Sequence, residues 1–189
     1  MALVGLASKN SLEGLAAGKG KVFEQSLAYY AGAFAEKPVA ANTIARILQE
    51  HFGVPVRVEQ FVGAWYDIPE AQRSKLGVAN MQLGQSALVG TRVWQRNLRL
   101  RLWVGPLGKS QFNQFLPNGE AAAALKKWLR LLTGHTLEYH VKLILKREDV
   151  RAGSLSGAEG VRLGYDSYLC TRPSEKDRVG ANYFINTIT

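Results

Sequence analysis

Hydrophobic positions recur with a helical period in the first third of the chain and with a period of two after it. Phe23, Leu27, Tyr30 and Phe34 fall at i, i+4, i+7 and i+11, which predicts one helix from Val22 to the break at Pro38. Ile44, Ile47, Leu48 and Phe52 predict a second helix, with Gly53 as its C′ residue and Val54-Pro55 blocking continuation. Both stripes read as core packing. The period then changes. Val54, Val56 and Val58 alternate with Pro55, Arg57 and Glu59, a strand with one buried face. Phe61 and Val62 break that parity before Gly63 and predict a bulge or bend. Trp65-Tyr66-Asp67-Ile68-Pro69 reads as a short second strand or an ordered loop. Residues 70–92, with Gly77, Gly84 and Gly90, form a long connection of weak period, and such loops are functional or disordered far more often than structural filler.

Leu98, Leu100, Leu102 and Val104 point one way and Arg99, Arg101 and Trp103 the other, the clearest strand in the sequence, stopped at Gly105-Pro106. Val93-Trp94 is expected to pair with it across Gln95-Arg96-Asn97 as a tight antiparallel hairpin. A short helix follows over Lys109–Leu116. A longer one has Asn118 as N-cap, Leu125, Trp128, Leu129 and Leu132 as its stripe, and Gly134 as its end. Tyr139, Val141, Leu143 and Leu145 alternate with His140, Lys142 and Lys146 in another strand, and Val161–Cys170 reads as the last one. Residues 1–20 read as a glycine-rich linker or an incomplete N-terminal edge, 21–171 as one domain, and 172–189 as a polar, frayed tail. The expected fold is α+β: an N-terminal helix pair, then a mixed, mainly antiparallel sheet with an inserted helix pair. Strict β-α alternation is missing, which argues against a doubly wound sheet.

Composition narrows the class. The chain has 189 residues, of which 47% are hydrophobic and 21% charged, as in ordinary globular proteins. No apolar run approaches the ~18 residues of a membrane span. The single cysteine, Cys170, excludes an internal disulfide, and the expectation is a reduced, cytoplasmic protein. The net charge of +9 is lopsided: residues 1–91 hold 8 Lys/Arg and 7 Asp/Glu, and residues 92–189 hold 16 and 8. Between Glu70 and Glu120 there is no acid, while Arg73, Lys75, Arg92, Arg96, Arg99, Arg101 and Lys109 fall there. Such asymmetry points to a basic face that meets an acidic partner surface, a nucleic acid or a membrane face.

Catalytic patterns do not assemble. His51, His135 and His140 have no metal-ligand spacing, and neither a Gly-x-Ser-x-Gly elbow nor a phosphate-binding Gly-x-x-x-x-Gly-Lys-Ser/Thr loop is present. No catalytic, cofactor-binding or metal-binding residue is expected, and the chain reads as a non-enzyme. Two classes remain. Arg99, Arg101 and Trp103 on one strand face would suit a basic single-stranded nucleic-acid-binding module, although no RNP-like or helix-turn-helix motif accompanies them. An interaction module accounts for more: aromatics in loops, glycine-hinged connections and arginines, the residues that anchor interfaces. Its expected partner-binding residues are Trp65, Tyr66, Ile68, Arg92, Arg99, Arg101 and Trp103.

Phe52-Gly53-Val54-Pro55-Val56-Arg57-Val58-Glu59-Gln60-Phe61-Val62-Gly63-Ala64-Trp65 resembles the signature stretch of the TssG (ImpH, VasB) family of the bacterial type VI secretion system. The likeness continues in order through Leu83-Gly84, Leu88–Trp94, Leu100-Arg101-Leu102, Gly105-Pro106-Leu107, Phe112 with Phe115–Gly119, and Arg162–Leu169. It covers about residues 22–170. In the closing block the family more often has Trp where Tyr165 and Tyr168 stand here. The family usually carries a further N-terminal region, so the sequence is expected to correspond to the C-terminal part of such a protein.

The resemblance implies a non-catalytic scaffold without cofactors, in a baseplate wedge on the cytoplasmic side of the cell envelope. The implied partners are TssF, TssK trimers reached by loop-like extensions, and TssE, with the VgrG hub nearby. Neither nucleic acid nor membrane insertion is implied. On this reading, Tyr66–Gly90 protrudes towards a partner, while Arg99, Arg101 and Trp103 face an acidic surface in TssF.

Overall fold

The computed structural model describes residues 29–35, 38–151, 162–170 and 172–187. Its first described helix, α1 (Ala31–Ala35), is one short turn, and α2 (Ala41–Phe52) follows. Phe23 and Leu27, half of the first expected stripe, lie outside the described residues. In α2 the stripe is as the spacing requires: Ile44, Ile47 and Leu48 are buried, and Gly53 closes the helix at φ 63°, a left-handed turn that glycine adopts without strain.

The chain then enters β1 (Val56–Glu59) and bends at Phe61, whose φ of 57° is the expected break in parity. Strand β2 (Ala64–Asp67) resolves the choice at Trp65 in favour of a strand. A long loop leads to β3 (Arg92–Gln95), and β4 (Arg99–Leu107) follows. Helices α3 (Lys109–Phe115) and α4 (Glu120–Thr133) cross over to β5 (Glu138–Leu145), and β6 (Arg178–Asn186) ends the sheet.

The main sheet has the order β1-β4-β5-β6. Its central pair, β4 and β5, is parallel, as a crossover through two helices permits; β1 and β6 are antiparallel to their neighbours. One face is sealed by helices. Leu102, Val104, Tyr139, Val141, Leu143, Leu145, Ala181 and Ile185 pack in one cluster with Ile44, Ile47 and Leu48 of α2 and Leu125, Trp128, Leu129 and Leu132 of α4. Each large apolar side chain fully removed from water contributes about 1.5–3 kcal/mol, which is why the strict alternation of β5 determines which face turns inward. Trp128 lies at the centre: Tyr30 meets it edge-on at 5.6 Å, Phe34 stacks at 6.2 Å, and the His51 ring lies 4.9 Å away. Burial lowers the His51 pKa and disfavours its imidazolium form. Burial raises the Tyr30 and Tyr139 phenols to about 12, with the Glu50 carboxylate adding to the rise at Tyr30.

Five expectations need correction. Val93-Trp94 does not pair with β4; β3 pairs with β2 in a separate two-stranded ribbon, where Trp94 faces Trp65 and Val93 faces Tyr66. That pairing joins two indoles across the strands, which a hairpin with β4 could not do. Gly105-Pro106 does not stop β4: the strand continues to Leu107 across a register shift, and Lys146 N–H still reaches Leu107 O at 2.9 Å. Asn118 is not the N-cap of α4. It takes φ 72°, and Gly119 caps instead, since a Cβ at 119 would strike the backbone carbonyl of Gln114.

The last strand is not Val161–Cys170. Residues 163–166 form a turn, and Cys170 is half-buried outside any strand. Residue 161 lies outside the described residues. The strand lies instead in the stretch expected to be a frayed tail, where Ala181, Tyr183 and Ile185 turn inward and Asn182, Phe184 and Asn186 outward.

Candidate interaction surfaces

The β2/β3 ribbon carries a loop built in an unusual sense. Asp67 and Arg92 close its neck with an ion pair of 2.8 Å, and Ile68 N–H donates to Thr91 O at 2.9 Å. Beyond the neck the loop is held by its polar side chains. Asn80 Nδ2 donates to Ala71 O at 2.8 Å and to Arg73 O at 3.1 Å; Ser74 Oγ donates to Asn80 O at 2.7 Å and accepts from Leu88 N–H at 2.8 Å. Arg73 Nε donates to Ile68 O at 2.8 Å. With its polar groups consumed internally, the loop turns its apolar side chains outward: Leu76 is 91% exposed, Leu83 92% and Val89 90%. Trp65 and Trp94, 63% and 50% exposed, meet edge-to-face at 5.3 Å at its base. Gly63 makes room for them, since a Cβ there would overlap the Trp94 ring.

The second surface is the outer face of the main sheet. Strand registers align its side chains in rows. Arg57, Trp103, Lys142 and Asn182 lie across β1, β4, β5 and β6; Glu59, Arg101, His140 and Phe184 form the next row, and Arg99, Glu138 and Asn186 a third. In the middle row Arg101 Nη1 donates to both Glu59 oxygens at 3.0 and 3.2 Å, and Trp103 Nε1 donates to Glu59 Oε2 at 3.0 Å. The indole bond, together with Arg101 and Arg57 and against the cost of desolvation, lowers the Glu59 pKa. Arg101 Nε reaches His140 Nδ1 at 3.4 Å, and the imidazole stacks on Phe184 at 4.6 Å. Burial, then Arg101, Lys142 and Arg99, lower the His140 pKa and favour the neutral ring. In the third row Arg99 bonds Glu138 at 2.9 Å, and Tyr66 OH donates to the same carboxylate oxygen at 2.9 Å. That bond joins the ribbon to the sheet.

A third feature is the turn at residues 162–170. Asp166, nearly buried, accepts from Lys109 Nζ at 2.6 Å and from Arg162 N–H at 2.7 Å, which fastens the turn to the start of α3. Desolvation raises the Asp166 pKa, but the two donors outweigh it and leave the carboxyl below its ordinary value. Leu163 and Leu169 on this turn are exposed.

Of the residues expected to bind partners, Trp65 and Arg92 are exposed on the ribbon, with Arg92 already paired to Asp67. Tyr66 is half-buried and bridges ribbon to sheet. Ile68 is 3% exposed and supports the ribbon neck from inside rather than facing outward. Arg99, Arg101 and Trp103 do share one face, but both arginines are spent on Glu138 and Glu59. Leu76, Leu83 and Val89 lie in the Tyr66–Gly90 segment expected to protrude but were not singled out, and sequence reasoning missed Trp94, Lys142 and Phe184. The alternation in residues 179–185 was the signal available for Phe184. Among the described residues, no three His, Cys, Asp or Glu side chains gather where a metal ion could be held, and no helix is long and apolar enough to cross a membrane.

Outward apolar side chains on a braced loop are the equipment of a protein that assembles with others. The family model for type VI secretion TssG matches residues 1–170, and the chain belongs to that family. The match includes residues 1–20, expected to be a linker or an incomplete edge. No curated protein matches the sequence.

Two solved structures share the fold. One is a cryo-electron-microscopy structure of the type VI secretion system TssK-TssF-TssG baseplate subcomplex, with a TM-score of 0.74 and 14% identity over 98% of this chain and 76% of that one. The other is the baseplate complex from the type VI secretion system, with a TM-score of 0.61 and 18% identity over all of this chain and 52% of its counterpart.

Proposed function

We propose that this chain is a non-catalytic structural subunit of the type VI secretion baseplate wedge, binding TssF and TssK in the platform for sheath and tube assembly. TssE would lie alongside and the VgrG hub nearby, on the cytoplasmic side of the envelope. The observation that carries the reading is the loop between β2 and β3. Its polar side chains brace its own backbone and its leucines and valines face solvent, an arrangement that stabilises nothing until a partner covers it. Membership of the TssG family and a fold shared with a TssK-TssF-TssG subcomplex support the baseplate reading. The nucleic-acid reading is weakened by the ion pairs of Arg99 and Arg101, which leave neither arginine free for a phosphate.

The test is co-purification from cells expressing the chain with its cognate TssF and TssK. The wild-type chain retains both, free of nucleic acid. A Leu76→Ser/Leu83→Ser/Val89→Ser variant keeps its stability within about 0.5 kcal/mol, because these side chains are already in water, and loses at least tenfold in retained TssK. Equal retention by the variant would reject the loop as the docking element.

A further inference from the structure

We infer that the outer face of the four-stranded sheet docks an acidic segment of TssF, with Arg57 and Lys142 as its charge contacts and Phe184 as its apolar anchor. The inference rests on the assembly reading above and specifies the surface and chemistry of one contact within it.

Parallel strand pairs are ordinarily covered on both faces. Among the described residues, helices cover β4 and β5 on one face only, and none of the outward side chains of the three rows is buried. The charge on that face is unbalanced. It holds Arg57, Arg99, Arg101 and Lys142 against Glu59 and Glu138, and the two carboxylates are paired with Arg101 and Arg99. Arg57 and Lys142 make no salt bridge among the described residues. Instead they flank one ring, the Arg57 guanidinium 5.2 Å and the Lys142 ammonium 4.7 Å from the Trp103 centroid.

Trp103 thus holds two cations in place; Glu59, whose charge acts on Arg57, is already bonded by Arg101 and the Trp103 indole, and among the described residues no carboxylate forms a salt bridge with either cation. They stand on strands either side of β4, about 10 Å apart. An extended segment crossing the strands matches that span with carboxylates about three residues apart. Phe184, 54% exposed and stacked on His140, gives the same segment an apolar contact one row away. Nucleic acid fits less well, since base stacking needs an open ring and the Trp103 ring already carries the two cations.

The experiment compares TssF capture by four chains co-expressed with cognate TssF and TssK, at low and moderate salt. They are the wild type, Arg57→Glu/Lys142→Glu, Phe184→Ala, and Lys126→Glu/Lys146→Glu, which makes the same charge change on other exposed positions. Circular dichroism confirms that each is folded. The sheet-face double variant is expected to lose TssF at least tenfold and Phe184→Ala to lose it several-fold. The Lys126/Lys146 variant should bind as the wild type does, with wild-type capture falling as salt rises. Undiminished capture by the sheet-face double variant would overturn the inference and leave the assembly reading intact. A wild-type chain that captures no TssF would overturn both. A wild-type chain that carries nucleic acid, shed by the double variant, would overturn the inference in favour of a nucleic-acid face.

Discussion

The helix-backed sheet and the β2/β3 ribbon solve the problem of stability in opposite ways. In the sheet, apolar side chains point inward and the backbone is satisfied by ladders, so burial does the stabilising and the surface is free to be charged. In the ribbon loop, Asn80, Ser74 and Arg73 turn inward to satisfy backbone carbonyls and amides, and the apolar side chains turn out. The first region folds by excluding water. The second is held by a few hydrogen bonds, each contributing only about 0.5–1.5 kcal/mol net, and keeps its apolar surface for contact. One chain can therefore combine a cooperative core with a loop whose stability is local and modest.

Substitutions can break this contrast at graded cost. Leu143, fully buried at the centre of β5, has the largest expected effect. Leu143→Ala should lower stability by about 2–5 kcal/mol, read as a fall in the denaturant midpoint of the whole molecule, because it leaves a cavity in the core cluster shared by sheet and helices. A ribbon that melted with it in one transition would show the two regions to be coupled through Tyr66 and Glu138. One that kept its Trp65–Trp94 fluorescence would show them independent.

Asp166→Asn should cost less, about 1–3 kcal/mol, by removing the charge that Lys109 and the Arg162 amide recognise. Its pH dependence has a fixed sign. The folded carboxyl sits below its ordinary 3.8, so its contribution is fully present above that value and is lost as pH falls through the lower folded value. The stability gap between wild type and Asp166→Asn should therefore shrink on acidification below about 3.8. A gap that widened there would reject the assignment.

Gly63→Ala has the smallest expected effect. The new methyl would displace the Trp94 ring, which is half in water and can swing away, at the cost of the aromatic pair, about 0.5–1.5 kcal/mol. A shift in tryptophan emission with little change in the global midpoint is the expected signature.

Where one period governed, the sequence was legible. The stripe of α2 and the alternation of β4 and β5 face the core as their spacing requires, because burial of one face leaves a single register free of penalty. Errors arose where two signals competed. At Val161–Cys170 an apolar alternation resembled a strand, yet Asp166 found Lys109 and fixed a turn. At Asn118 a good capping residue lost its position to Gly119, because only glycine fits against the Gln114 carbonyl. Trp94 passed over β4, one tight turn away, for the far more distant β2 across the long loop, and nothing local marked that choice.

The sequence by itself determined the α+β class, the inward faces of β1, β4 and β5, the helix ends at Gly53 and Gly134, and the family motifs. These depend on period and on backbone freedom, which are local properties. Only the tertiary structure decided which charges neutralise one another. Arg101 meets Glu59 across 42 positions and Arg99 meets Glu138 across 39, so the arginines that looked free are spent, and the surplus passes to Arg57 and Lys142. Ion pairing is a through-space property that no spacing rule encodes, and so the basic face was visible in the sequence while its available charges were not.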